Sequence, residues 1–272
     1  MAKKPEKAYK NLEFLNSSEA RMLRILSEYL EPRVRFHKHN VEDTIVFFGS
    51  ARTLDRKGAE EAFEVAERQF NEMPSEENGK LKSVAERKLK LSQYYEDARS
   101  LSRLLTEWSL GLGSDQRRFI VASGGGPGIM EAVNRGASEV PGGVSIGLNI
   151  SIPFEQEGNP YITDELNFEF HYFFTRKFWF TYLAKAMVIF PGGFGTLDEF
   201  FEGLTLIQTH KINKKIPIVL YGESYWKNLI NFDALVDNMM IHENDLNLFR
   251  FFNSPQEAFE YLRDELTAMY QK

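Results

Sequence analysis

The sequence predicts an α/β fold: a doubly wound, mainly parallel sheet preceded by a helical extension. Three observations predict it. From Arg117 onward short apolar runs alternate with helix-length amphipathic stretches, the pattern of a parallel sheet covered on both faces. Three of the runs end in glycine-rich or small-residue loops, at Gly49-Ser50, Gly124–Gly128 and Gly192–Thr196. The chain has 272 residues, 43% hydrophobic and 26% charged, enough apolar material for a large core.

Taken in order, residues 1–16 are polar and read as a mobile lead. "SSEARMLRILSEYLEPRVRF" places Met22, Leu23, Ile25, Leu26, Tyr29 and Leu30 at helical spacing, with Ser17 or Ser18 as N-cap and Pro32 as its limit. "DTIVFFGSAR" reads as the first buried strand. Helix is expected from about Gly58 to Leu112, broken at "NEMPSEENGK", where Pro, Gly and charge mark a surface turn or an insertion. "RFIVAS" is a strand, "GGGPG" a loop and "IMEAVNRGASEV" a helix. "GVSIGLNI" is a strand, "SIPFEQEGNPYITDEL" an irregular connection, and "NFEFHYF" strand-like. The helix "TRKFWFTYLAKA" follows, then the strand "MVIFP", the loop "GGFGT" and the helix "LDEFFEGLTLIQTHKI". "IPIVLYG" is a further strand, with helices around 225–239 and 255–270. The expected organisation is a helical extension over 1–40 and one Rossmann-like domain over 41–272.

Composition narrows the chemistry. The net charge of −6 argues against a general nucleic-acid or anionic-membrane binder. Cysteine is absent, which excludes disulfides, thiolate catalysis and cysteine-held metal clusters. His37, His39, His210 and His242 lack metal-ligand spacing with carboxylates, so neither metal nor cofactor is expected. The N-terminal stretch has no apolar signal region and no run reaches about 18 apolar residues, so a cytoplasmic location is expected. Many of the 23 phenylalanines fall between 168 and 201, a region expected to be buried.

Two loops share a design. "GGGPGIME" (124–131) and "GGFGTLDE" (192–199) both open on glycines and close on a glutamate. Neither fits Gly-x-Gly-x-x-Gly, and Gly-Lys-[Ser/Thr] is absent. Such loops serve either close helix–strand packing or the approach of backbone N–H groups to a phosphate at a helix N-terminus. Two of them in one chain favour the ligand reading. Glu131 and Glu199 are both placed near a first turn, where an acid favours the dipole. Glu199 also follows Thr196 by about one turn and so can face the crevice; Asp198, rotated by about 100°, reads as a helix-start acid.

Pro-Gly-Gly-x-Gly-Thr-x-x-Glu at 191–199, with the Arg176-Lys177 pair on the preceding helix, resembles the signature of the LOG (Lonely Guy) family, often described as possible lysine decarboxylase. "SGGGPGIMEAVNRGA" and "FFGSAR" are similar to their family counterparts, and the resemblance covers roughly 44–240. It leaves out the N-terminal helix and the segment around 72–100. It implies a homodimer or higher oligomer that hydrolyses the N-glycosidic bond of a nucleoside 5′-monophosphate, AMP or a modified adenine nucleotide, to free base and ribose 5-phosphate. It further implies that Arg176 and Glu199 are the catalytic pair. Gly192, Gly193, Gly195 and Thr196 would hold the phosphate, helped by Gly124, Gly125 and Gly126. Ser50 would face the same crevice, and Lys177 would contact the phosphate or stand in solvent. Short cytokinin-activating members carry Met-His and Met where this chain has Phe173-Phe174 and Phe180, an aromatic-rich base pocket that fits purine stacking.

Other readings compete. Decarboxylation of lysine would need a Schiff-base lysine for pyridoxal phosphate; Lys177 and Lys185 are the helix-borne lysines near the motif, and nothing assigns either that role. A non-catalytic carrier of a nucleotide or phosphorylated cofactor needs the loops but not both Glu199 and Arg176. His171 reads as a packed strand residue or as a donor to a leaving base.

Overall fold

The computed structural model describes residues 5–113, 116–153 and 158–270. Part of the irregular connection expected before residue 167, residues 154–157, lies outside them, as do residues 1–4 of the polar lead. In chain order come α1 (Leu12–Asn16), α2 (Arg21–Lys38), β1 (Thr44–Phe48), α3 (Arg56–Glu72), α4 (Glu76–Gly111), β2 (Ile120–Ser123) and α5 (Ile129–Ser138). Then follow β3 (Ser145–Ile150), β4 (Asn167–Phe170), α6 (Phe173–Leu183), β5 (Ala184–Ile189) and α7 (Phe194–Gln208). The chain continues through β6 (Ile218–Tyr221), α8 (Glu223–Leu229), α9 (Phe232–Asp237), β7 (Phe249–Phe252) and α10 (Pro255–Tyr270).

Among the described residues the sheet has seven strands in the order β4-β3-β2-β1-β5-β6-β7, and all six ladders are parallel. Period-two alternation divides each central strand between two cores. Ile45 and Phe47 of β1, with Val188 of β5, pack beside Tyr95, Leu101, Leu105, Val133 and Leu262 of α4, α5 and α10. Val46 and Phe48, with Met187 and Ile189, face Phe36, Trp179, Phe180, Phe200 and Trp226 on the other side. Both faces are therefore dry, which is why these strands read as continuous apolar runs. The sheet folds outward in opposite senses from β1 and β5, so the topological switch point lies between them.

Several elements depart from the sequence reading. Pro32 does not end α2 but lies inside it, buried. A proline at this position leaves the carbonyl of Glu28, four residues earlier, without its helical donor. The indole Nε1 of Trp179 on α6 donates to that carbonyl at 3.0 Å, so a tertiary contact satisfies what the helix cannot. Neither Ser17 nor Ser18 caps α2, whose N-cap is Ala20. Within the lead, Leu12–Asn16 is helical, with the Asn11 side chain accepting from the amide of Phe14. The apolar stripe of α2 is not all buried: Met22, Leu23, Leu26 and Leu30 are exposed, while Phe36 packs, with tilted rings, against Phe168 and Trp179.

Helix α6 begins two residues earlier than expected and ends at Leu183, because Ala184–Ala186 joins β5. Lys185 is consequently a strand residue, its ammonium 4.7 Å from the Tyr270 ring centre. Strand β7 has no alternating pattern of its own and is recognised only through its pairing with β6. The segment around 72–100 is more than an insertion. The break at 73–75 separates α3 from α4, but Tyr95, Ala98, Leu101 and Leu105 of α4 are fully buried against the sheet. The phenylalanines of 168–201 also divide: Phe168, Phe170, Phe180, Phe190 and Phe200 are buried, whereas Phe173, Phe174, Phe194 and Phe201 are exposed.

A buried polar cluster locks the amino end of β1, at the middle of the sheet. Asp43, fully buried, accepts from Arg118 Nη2 at 2.7 Å and Nε at 3.1 Å, and from the amide of Phe119, whose φ is +51°. Removing one partner of such a pair strands the other's charge. Asp43→Ala is expected to cost about 3 kcal/mol, read as a lower urea midpoint with an unchanged m-value.

Candidate active site

The glycine-rich loops converge at the carboxyl ends of β1, β2 and β5, where a crevice of about 780 Å³ opens at the switch point. Gly49, Ser50, Gly124, Arg176, Gly192, Gly193, Gly195, Thr196 and Glu199 all line it. Ser50 is held by backbone bonds on both sides: its amide donates to Pro191 O and its carbonyl accepts from the amide of Ile129, each at 3.0 Å.

The loop 192–196 is shorter than expected, because α7 begins at Phe194 and takes Gly195 and Thr196 into its first turn. Glu199 therefore belongs to the second turn, and no acid occupies the first; the dipole explanation for Glu199 falls. Glu131 does stand in the first turn of α5, where it accepts from the Tyr95 hydroxyl at 2.7 Å. The N-cap of α7 is Gly193, which supplies no side-chain acceptor. The amides of Phe194, Gly195 and Thr196 have no carbonyl within the helix to bond, and they adjoin the crevice.

The glycines of this loop do different work. A Cβ on Gly192 would meet Thr196 Oγ1 at 2.1 Å, so Gly192 is there for packing. A Cβ on Gly193 or Gly195 would meet nothing within 4 Å. Packing does not demand glycine at those two, and the space beside them is open. The loop is also tethered from α8, where the Tyr225 hydroxyl donates to Gly192 O at 2.6 Å.

Arg176 and Glu199 come together from α6 and α7. Arg176 Nη2 lies 3.9 Å from Glu199 Oε1, with both side chains largely buried. The guanidinium sits 5.4 Å from the ring centres of both Phe173 and Phe180. Its Nε is buried without a hydrogen-bond partner, an orphaned donor of the kind that calls for an acceptor from outside the chain. Burial lowers the Arg176 pKa, with Glu199 and Asp198 opposing; guanidinium nonetheless stays charged at physiological pH. Burial pushes the Glu199 carboxyl up to about 7, against the pull of Lys177 and Arg176. A carboxyl poised near neutrality in a cleft is suited to taking and returning a proton.

The helix bearing Arg176 is held at its start by α2. Glu28 accepts from the amides of His171 and Tyr172 and from Thr175 Oγ1. His171 itself is exposed rather than packed.

Three expected ligand contacts stand elsewhere. Lys177, one position round α6 from Arg176, does not line the crevice; it ion-pairs with Asp198 at 2.8 Å and Glu202 at 2.7 Å. That pairing, not the helix start, is what Asp198 does. Gly125 and Gly126 are also outside the lining: their carbonyls accept from Asn159 Nδ2, which also bonds Asn134 in a buried network behind the loop. Conversely the crevice includes Arg52, Lys88, Leu91 and Tyr225, which motif reasoning missed. Among the described residues no group of His, Asp or Glu is arranged to hold a metal, and no helix is long and apolar enough to cross a membrane.

Residues 130–262 match the family model described as possible lysine decarboxylase, the description that the LOG family carries. The match spans 133 of the chain's 272 residues. The matched region contains α6, β5 and α7, hence Arg176, the 191–196 loop and Glu199; it does not contain Ser50, Arg52 or Lys88. Among solved structures, the molybdenum cofactor binding protein from the phototrophic bacterium Rippkaea orientalis is similar at 17% identity and a TM-score of 0.42, over 63% of this chain and 89% of that one. A search of curated protein sequences finds no match.

Proposed function

We propose that the crevice hydrolyses the N-glycosidic bond of a nucleoside 5′-monophosphate, an adenine nucleotide in the first instance. The observation that carries the reading is the buried Arg176–Glu199 pair, 3.9 Å apart, in the same crevice as the uncapped N-terminus of α7. The amides at Gly193–Thr196 receive the phosphate. Glycosidic cleavage passes through an oxocarbenium-like state that needs negative charge near the anomeric carbon and a positioned water. Glu199 supplies the charge and takes a proton from the water as its oxygen bonds to C1′. The C1′–N bond breaks with its electron pair passing to the base, which takes up a proton from solvent, and Glu199 gives the proton it took from the water back to solvent, restoring the carboxylate. Arg176 gives its free Nε–H to a base nitrogen or phosphate oxygen and steadies the carboxylate.

The family description invites a decarboxylase reading, which the lysines of this region support poorly. Lys177 is held by two carboxylates and Lys185 lies on β5 beside Tyr270.

Incubation with a panel of purine and pyrimidine monophosphates is expected to release free base, with AMP among the substrates, followed by chromatography. Binding of AMP with no base released from any nucleotide would overturn the enzyme reading in favour of a carrier. With Glu199 acting as a carboxylate, kcat/KM is expected to fall about tenfold per pH unit below the carboxyl's pKa of about 7 and to level off above it. A limb that falls as pH rises through 7 would reassign Glu199 as the acid.

A further inference from the structure

The crevice carries more positive charge than the reacting pair requires. Arg52, Lys88 and Arg176 line it, and Glu199, half-neutral near pH 7, is the one acid among the described residues lining it. This is a local excess of cations in a chain whose net charge is −6. Neither Arg52 nor Lys88 has an ion-pair partner among the described residues, and both are exposed. The contrast on α4 is direct: Lys80, Lys82 and Lys90 each pair with a glutamate, at Glu76, Glu67 and Glu86. Lys88 has Val84, Ala85, Leu91 and Ser92 at the neighbouring helical positions, so no acid is within reach on its own face. Arg52 is placed by its backbone, its amide donating to Ser50 Oγ at 3.1 Å next to the loop 191–196.

We propose that Lys88 and Arg52 form a cationic rim that binds the ligand's phosphate and makes the crevice selective for a dianionic phosphomonoester over the uncharged nucleoside. The proposal rests on the reading above for where the ligand sits, but concerns binding and not cleavage. It gives the α3–α4 hairpin, outside the family match, a part in substrate recognition. A phosphomonoester carries nearly two negative charges at neutral pH, which the surplus cations and the α7 amides offset. A nucleoside or a free base leaves them unneutralised. Both cations stand at a solvent-exposed rim, so their attraction is screened by salt. A rim formed by flexible side chains also accommodates the phosphate of a nucleotide or of a simple sugar phosphate alike.

The test is calorimetric titration of the full chain with AMP, adenosine, ribose 5-phosphate and inorganic phosphate at low salt. Wild-type protein is expected to bind AMP at least about tenfold more tightly than adenosine, with the preference shrinking at high salt. Lys88→Gln and Arg52→Gln are each expected to weaken AMP and ribose 5-phosphate binding by about tenfold and to leave adenosine binding in place. Lys88→Arg should restore most of the loss, with equal melting temperatures across the set. Equal AMP affinity in Lys88→Gln, Arg52→Gln and wild type would overturn the proposal even if AMP is hydrolysed. Phosphate-dependent binding lost in those variants without any base release would leave the proposal standing and remove the hydrolase reading. Parallel losses for AMP and adenosine would mean that the rim shapes the crevice and does not read charge, and would also overturn it.

Discussion

Glu199→Gln is expected to lower kcat for base release by about a thousandfold or more, the scale on which a positioned acid–base group acts, while AMP still binds. Glutamine keeps the shape and removes the carboxylate, so the expected loss falls on kcat with little change in affinity. Loss of AMP binding in parallel would instead make Glu199 a ribose or loop contact. The same variant has a signature in stability. The carboxyl's pKa is raised from an ordinary 4.5 to about 7 in the folded state, chiefly by burial. Between those values the folded protein binds more protons than the unfolded one, so the group's contribution is full below pH 4.5 and lost as pH rises through 7. Glutamine has no such dependence. From pH 5 to pH 8 the stability of the variant relative to wild type should therefore rise, by up to about 3 kcal/mol, measurable by urea unfolding at both pH values. A stability difference that does not change with pH would show that Glu199 titrates normally.

Gly128→Ala and Gly195→Ala are expected to diverge sharply. Gly128 has φ +71° and ψ −131°, a conformation that a side chain strains. Its Cβ would meet backbone atoms of Ser50 and Ala51 at 2.3–2.9 Å. Nothing flexible can give way there, so the loop after β1 must move and take Ser50 with it. Strain and overpacking together put the cost at about 3 kcal/mol or more, read by thermal or urea unfolding. Gly195 is the opposite case: it lies in the first turn of α7 and a Cβ would meet nothing. Alanine there should leave stability unchanged or raise it by up to about 1 kcal/mol, yet weaken AMP binding by about tenfold or more as the methyl enters the ligand's space. Unimpaired AMP binding in Gly195→Ala would return the loop to a purely structural role.

The central strands were legible because each is buried on both faces and so appears as an unbroken apolar run. Strand β7 was not, because it lies at the sheet edge with only Phe249 buried. Pro32 does not end its helix, contrary to the local pattern, because the donor that satisfies the freed carbonyl, Trp179, is far along the chain. In the site, Arg176 and Glu199 were legible as residue types in a motif. The separation of Lys177 from the crevice was not, since one helical step turns it toward Asp198 and Glu202. Lys88 left only a faint trace, the missing acid at its helical neighbours.

By itself the sequence determined the alternation of strands and helices, the parallel sheet that follows from it, and which loops carry glycine. Those are properties of local pattern, period two or 3.6, read within a dozen residues. The tertiary structure alone decided which glycines stand open to a ligand and that a carboxyl is dry enough to hold its proton near pH 7. It also decided that a lysine from α4 reaches a crevice built at the ends of β1 and β5. Burial and electrostatics depend on what the rest of the chain brings alongside, and no local pattern encodes that.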